Sequence, residues 1–234
     1  YDQTSPRSRA LLQDWTQDAR PDTKTDTAKP KAETITLTLE YAGVTMPLHF
    51  EAGTAVLLSS YDEQVLRGCW QSLTQEKSRC TLQIGGKTLP FRGLADLRRH
   101  RIAVWDGTAE PPALQENLTL QENILLPSMP RISRCGFFEI AAKKVFSDRE
   151  FWRSRLPAET EPDSVKTARV LADRWLFFHP RVLFIYNVFS SSDYTVRRIL
   201  QQFVQDLCAR GTTVVLLETA DHSCRSFVNA EISL

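Results

Sequence analysis

Two runs constrain this chain more than any others: Arg181-Val182-Leu183-Phe184-Ile185-Tyr186 and Thr213-Val214-Val215-Leu216-Leu217, apolar almost throughout and without polar alternation. A strand that is apolar on both faces must be covered on both, as in the middle of a layered sheet. Between them, Tyr194 to Ala209 reads as a helix ended by Gly211. Strand, crossover helix and strand form a right-handed βαβ unit, so at least part of the sheet is parallel.

The elements upstream are mixed. Ile35, Leu37, Leu39 and Tyr41 alternate with Thr36, Thr38 and Glu40, the pattern of a half-buried strand. Thr54 to Leu58 reads as a buried strand after a turn at Gly53, and Glu63 to Leu73 as the helix behind it. Cys80 to Ile84, Gly85-Gly86 and Thr88 to Phe91 form a hairpin, followed by a helix over Leu94 to His100 and a strand over Ile102 to Trp105. Prolines 111, 112, 127 and 130 punctuate a turn-rich stretch with an amphipathic piece at Leu120 to Leu126. Gly136 to Leu156 and Ser164 to Phe178 read as helices, the second stopped by His179-Pro180. Residues 1–33 carry a short amphipathic patch and then a polar stretch around Pro21 and Pro30 with nothing to bury, the signature of a linker.

Composition narrows the partners. With 29 basic and 28 acidic residues the net charge is +1, which supplies no broad field for nucleic acid or anionic lipid. No apolar run approaches the ~20 residues that span a bilayer. The five cysteines, Cys69, Cys80, Cys135, Cys208 and Cys224, are an odd set without a Cys-x-x-Cys pair, which fits reduced thiols in a cytosolic setting. The four histidines stand far apart, without metal-ligand spacing. The chain opens on Tyr1, which fits a segment of a longer polypeptide.

Four segments occur in an order that matters. Leu118-Thr119-Leu120-Gln121-Glu122-Asn123-Ile124-Leu125-Leu126-Pro127 and then Arg131-Ile132-Ser133-Arg134-Cys135-Gly136-Phe137 precede the helical region. Arg174-Trp175-Leu176-Phe177-Phe178-His179-Pro180-Arg181-Val182-Leu183-Phe184-Ile185 leads into the first apolar strand, and Asp193 follows Ser190-Ser191-Ser192. Over residues 34 to 230 this resembles the ATP-binding subunits of carbohydrate ABC importers, and most closely their second nucleotide-binding domain. The resemblance implies an α/β, P-loop NTPase-like ABC ATPase domain over 34–234. Its expected architecture is a mixed β sheet with parallel core strands and a small helical subdomain at about 118–178.

The residues that handle ATP in that family are replaced. A phosphate loop needs a Gly-rich turn with a Lys. At that place stands Ser59-Ser60-Tyr61-Asp62-Glu63-Gln64-Val65-Leu66-Arg67-Gly68, with two carboxylates where phosphate would lie. Repulsion between unit charges at 4 Å amounts to about 1 kcal/mol even in water. The metal-binding Asp and catalytic Glu correspond to Tyr186 and Asn187, so Mg²⁺ loses its carboxylate and water its base. The family's Leu-Ser-Gly-Gly signature corresponds to Pro162-Asp163-Ser164-Val165, without the glycines and without a clean helix N-terminus. Asp193 matches the D-loop aspartate. The degenerate positions are therefore Ser60, Asp62, Glu63, Leu66, Arg67, Ser164, Tyr186, Asn187 and Asp193.

Other candidates have plainer explanations. Gly86-Lys87-Thr88 matches the end of a phosphate loop but sits in the hairpin, with Pro90 close behind. Arg98-Arg99-His100-Arg101 suits a cationic helix C-terminus, Trp175, Phe177 and Phe178 suit the core, and Asp62-Glu63 suits a helix N-terminus.

The resemblance and the replacements together imply a non-catalytic half of a carbohydrate import ATPase, structural or regulatory in role. No cofactor, metal or nucleic acid is expected. Its partners would be another ABC ATPase domain, on the same chain or in a homologous subunit, and a membrane permease. Its location would be the cytoplasm, at the inner face of the cell membrane. The alternatives are an ATPase with remodelled loops, using Arg67 and Asp193, and a sensory module binding another small ligand at the strand ends.

Overall fold

The alternation beginning at Thr34 is realised in β1 (Thr34–Tyr41), which buries Ile35, Leu37 and Leu39 and leaves Thr36 and Thr38 partly exposed. The computed structural model describes residues 34–41, 44–75, 80–89, 96–97, 100–108, 114–129, 133–134, 137–138, 148, 152–153, 156–220 and 224–234. The expected linker at 1–33 lies outside them, as do Arg98, Arg99 and most of the expected helix over 136–156. Two units are distinguished: Lys29–Glu110 with His179–Leu234, and Tyr1–Ala28 with Pro111–Phe178.

In the first unit β2 (Val44–Glu51) runs antiparallel to β1 with Leu48 opposite Leu37 and Phe50 opposite Ile35, so both apolar sets share one face. Sequence reading did not identify this strand. β3 (Ala55–Ser60) is buried throughout, and α1 (Glu63–Thr74) follows, turning Leu66, Cys69, Trp70 and Leu73 inward at helical spacing. The hairpin β4 (Thr81–Ile84) and β5 (Lys87–Leu89) turns at Gly85 and Gly86, whose φ values of 59° and 75° favour glycine. Gly86-Lys87-Thr88 is thus a hairpin turn and opens no helix. β6 (Ile102–Asp106) closes this part of the chain.

The second unit holds α2 (Leu120–Leu125), a 3₁₀ turn at Leu126–Ser128, the two-residue strands β7 (Ser133–Arg134) and β8 (Phe137–Phe138), and α3 (Asp163–Phe178). A capping box starts α2: Thr119 Oγ1 accepts from the Glu122 amide, and the Thr119 amide donates to the Glu122 carboxylate. The Thr119 amide and the Thr119 hydroxyl, both donating to the Glu122 carboxylate, hold that carboxyl below its ordinary value.

Phe137 and Phe138, expected to begin a helix, instead pair with Ser133–Arg134 as antiparallel strands. An apolar doublet satisfies either period, and strand pairing decided it here. Phe177 and Phe178 are buried as expected, with Phe177 stacked on Trp152 at 5.7 Å.

Back in the first unit, β9 (Val182–Tyr186), α4 (Tyr194–Ala209), β10 (Thr213–Thr219) and β11 (Ala230–Ser233) complete two sheets. One has the order β2-β1-β4-β5 and is antiparallel. The other has the order β11-β3-β10-β9-β6, and every pairing in it is parallel. The apolar strands β9 and β10 lie in its middle, which accounts for their unbroken hydrophobicity. Ile35, Leu37, Leu82, Val56, Leu58, Leu66, Phe184 and Val215 belong to one core that joins both sheets and α1. Each such side chain contributes about 2 kcal/mol by leaving water.

At the amino end of the parallel sheet, His179 adopts φ 50° and its carbonyl accepts from the Arg101 guanidinium. Among the described residues no helix is long and apolar enough to cross a membrane.

Candidate functional site

Parallel sheets place functional loops at the carboxyl ends of their strands. In this chain those ends are Ser60, Asp106, Tyr186, Thr219 and Ser233.

The connection after β3 is short. Only Tyr61 and Asp62 separate Ser60, the last residue of β3, from Glu63, the first of α1. Ser60 is buried, and its Oγ accepts from the Asp62 amide at 3.2 Å. Asp62 is the N-cap of α1: its Oδ1 accepts from the Gln64 amide at 2.8 Å. The positive end of the helix dipole therefore already faces a carboxylate of its own chain. Glu63 pairs with Arg67 one turn on, at 3.2 Å, with both side chains more than half exposed, so the pair adds little stability. Leu66 turns into the core at 1% exposure.

The end of β9 is aromatic. Tyr186 stacks on Trp70 of α1, with ring centroids 5.3 Å apart and planes inclined by 15°. Trp70 Nε1 donates to Asp106 Oδ2 at 2.9 Å, and Asp106 Oδ1 accepts from the Thr108 amide and hydroxyl at 2.8 and 2.7 Å. Burial pushes the Tyr186 phenol above its ordinary value; the Arg67 guanidinium opposes this, and the Glu63 and Asp106 carboxylates add to it.

Backbone packing is equally close here. The Gly107 amide donates to the Tyr186 carbonyl at 2.8 Å, and a Cβ at Gly107 would meet the Asn187 carbonyl oxygen at 2.6 Å. Asn187 itself takes φ 49°, and its amide donates to the Leu217 carbonyl.

Residues 188–192 then lead to Asp193, the N-cap of α4, which accepts from the Val196 amide at 2.9 Å. A carboxylate that sequence reading passed over anchors this loop. Glu218, 1% exposed on β10, accepts from the amides of Val188, Phe189 and Ser190 at 2.7, 2.9 and 3.2 Å and from the Ser190 hydroxyl at 2.6 Å. Burial pushes its carboxyl above the ordinary value, against the pull of those four bonds. The available signal was one charged residue closing an otherwise apolar buried strand.

Of the sequence-derived positions, Ser60, Asp62, Glu63, Leu66, Arg67, Tyr186, Asn187 and Asp193 all belong to the first unit. Most of them lie at or just beyond the strand ends or on α1, the helix that follows β3. Ser164 belongs to the other unit and is exposed in the first turn of α3. The helix read over Ser164 to Phe178 is α3, which begins at Asp163, and the Lys166 amide bonds back to the Pro162 carbonyl. Sequence reading also missed Trp70, Asp106 and Gly107, whose partners are remote in the chain. Among the described residues there is no cluster of three or more His, Cys, Asp or Glu able to hold a metal ion.

No family model matches the chain. It is 22% identical over 173 residues to the ribose import ATP-binding protein RbsA of Lactococcus lactis subsp. lactis (strain IL1403). The match covers 71% of this chain and 35% of that protein, so the chain spans about a third of that relative's length. Among solved structures it is similar to the ADP conformation of MJ1267, an ATP-binding cassette of an ABC transporter. That likeness has a TM-score of 0.64 and 14% identity, and covers 87% of this chain and 88% of that one. A nucleotide-free ATP-binding cassette from an ABC transporter gives a TM-score of 0.61 at 15% identity, covering 86% and 87%. The fold is that of an ABC ATPase domain, α/β and P-loop NTPase-like.

Proposed function

We propose, from the premise of an ABC ATPase fold, that this chain is a non-catalytic, ATP-binding-cassette-like module, the structural or regulatory half of a carbohydrate import ATPase. The observation that carries this is the two-residue connection between β3 and α1. A phosphate-cradling loop, G-x-x-x-x-G-K-[ST], wraps anionic oxygens with successive backbone amides before its helix begins. Tyr61 and Asp62 supply neither the length nor the glycines nor the lysine, and Asp62 caps the helix with its own carboxylate.

The donor set does not fit nucleotide and Mg²⁺ at the other strand ends either. Tyr186 stands at the expected metal carboxylate and is stacked under Trp70. Asn187, an amide, has no basic group with which to activate water. The acids nearby are engaged: Asp106 with Trp70 and Thr108, Glu63 with Arg67.

The carbohydrate assignment rests on the likeness to a protein named for ribose import and on the four sequence segments. In such an assembly the module would complete an interface with an intact ABC ATPase domain, on the same chain or in a homologous subunit. That partner would do the chemistry beside a membrane permease at the cytoplasmic face. An assay of phosphate release from ATP with Mg²⁺ is expected to show no turnover above a protein-free control. Turnover that scales with protein and requires Mg²⁺ would overturn the reading in favour of remodelled catalytic loops.

A further inference from the structure

We propose that residues 188–190 are a ready-made oxyanion site, filled in the native chain by the tethered carboxylate of Glu218 and able to hold a free small carboxylate once that side chain is removed. The site is built from donors. The amides of Val188 and Phe189 reach Glu218 Oε1 at 2.7 and 2.9 Å, and the amide and hydroxyl of Ser190 reach Oε2 at 3.2 and 2.6 Å. Consecutive amides turned to one side form a concavity that suits an anion and that elsewhere receives one from solution. A backbone N–H can only donate, so a neutral group with donors of its own fits such a concavity poorly.

The course of the loop rests on bonds that do not involve Glu218. Asn187 leaves β9 at φ 49°, a left-handed conformation that its short polar side chain tolerates, and its amide donates to the Leu217 carbonyl at 2.9 Å. The Ser191 hydroxyl donates between the Asn187 and Val188 carbonyls, and the Ser192 hydroxyl donates to the Val188 carbonyl at 2.6 Å. The Ser192 amide closes a turn on the Phe189 carbonyl at 3.2 Å. From α4, Arg197 donates to the Ser192 carbonyl at 2.8 Å, and the buried Phe189 ring packs on Phe227 with centroids 5.2 Å apart. These restraints persist when the Glu218 side chain is cut back, so the three amides stay turned toward the space it vacates.

That space matches the lost group. Glu218→Ala deletes a methylene and a carboxylate from a position 1% exposed, and formate brings the same carboxylate with no methylene to place. In the native chain the covalent tether gives the carboxylate an effective concentration that a solute cannot reach, which keeps free oxyanions out. The loop after β9 thus carries its own anion in place of one from solution, whatever the fate of nucleotide at the neighbouring strand ends.

Thermal unfolding of the whole chain carrying Glu218→Ala, at neutral pH, tests the site with sodium formate, formamide and sodium chloride at matched concentrations. Formate at about ten times its Kd is expected to raise the variant's midpoint by about 4 °C along a saturating curve, beyond any change in formamide or chloride. The wild type, whose site is filled, should respond alike to formate and chloride. So should Glu218→Gln, which fills the space with a neutral side chain of the same shape. A formate shift in Glu218→Ala no larger than that in chloride or formamide, or one matched by the wild type or by Glu218→Gln, would overturn the proposal. Should Glu218→Ala not fold in buffer alone, its refolding is followed in the three solutes. Recovery in formate alone supports the site, and any other result refutes it.

Discussion

Replacing Asn123 by alanine is expected to destabilise the chain by about 4 kcal/mol, a loss seen as a fall of roughly 12 °C in thermal unfolding. Asn123 is 1% exposed, and its Nδ2 donates to the carbonyls of Gln115, Leu118 and Thr119 at 3.0, 3.2 and 3.1 Å. Its Oδ1 accepts from the Gln115 amide at 2.7 Å and from the Arg174 guanidinium at 3.3 Å, while its backbone carbonyl accepts from Arg174 Nε at 2.9 Å. The side chain ties the turn before α2 to a guanidinium of α3 that burial has already made less willing to stay charged. Truncation leaves that cation with the Asn123 backbone carbonyl but not the side-chain oxygen, and removes the acceptor of the Gln115 amide. The reverse substitution separates the causes: Arg174→Met removes the cation and leaves the other Asn123 bonds in place. Its expected cost is about 1 kcal/mol. If Arg174→Met proved as damaging as Asn123→Ala, the buried charge would not be the source of the effect.

Gly107→Ala should cost about 3 kcal/mol in urea denaturation followed by tryptophan fluorescence. The added methyl would lie 2.6 Å from the Asn187 carbonyl oxygen and 2.8 Å from Val188 Cα, backbone atoms that cannot swing aside. Relief requires separating the loop after β6 from the loop after β9, which disturbs the Trp70–Tyr186 stack. Gly86→Ala is the control. That position has φ 75° but nothing within 4 Å of the added carbon, so only backbone strain of about 1 kcal/mol is expected. Equal effects at the two glycines would contradict a steric origin.

What could be read in the sequence follows from how local each signal is. β9 and β10 were legible because a strand covered on both faces has no polar residues to interrupt it, and α4 because its apolar positions repeat at helical spacing up to Gly211. β2 was missed because Pro47 interrupts its pattern; the strand lies on the sheet edge, where a missing amide donor is tolerated. β11 was missed because its short run, mostly exposed, has no period of its own; pairing with β3 defines it.

The candidate site divides in the same way. That the turn after β3 holds neither a run of glycines nor a lysine, and that positions 186 and 187 are Tyr and Asn, is written in consecutive residues. The stack of Trp70 on Tyr186, its bond to Asp106 36 residues away, and the reach of Glu218 to Val188 are long-range facts that no spacing encodes.

We propose that the strand ends of this ABC ATPase fold do not receive nucleotide. Isothermal titration of the whole chain with ATP and Mg²⁺, carried to millimolar nucleotide, tests it most directly. No binding heat is expected, and the same thermal unfolding midpoint with and without the nucleotide. A Mg²⁺-dependent isotherm with a rise in that midpoint would contradict it, since a ligand at about a hundred times its Kd adds about 2.7 kcal/mol to the folded state.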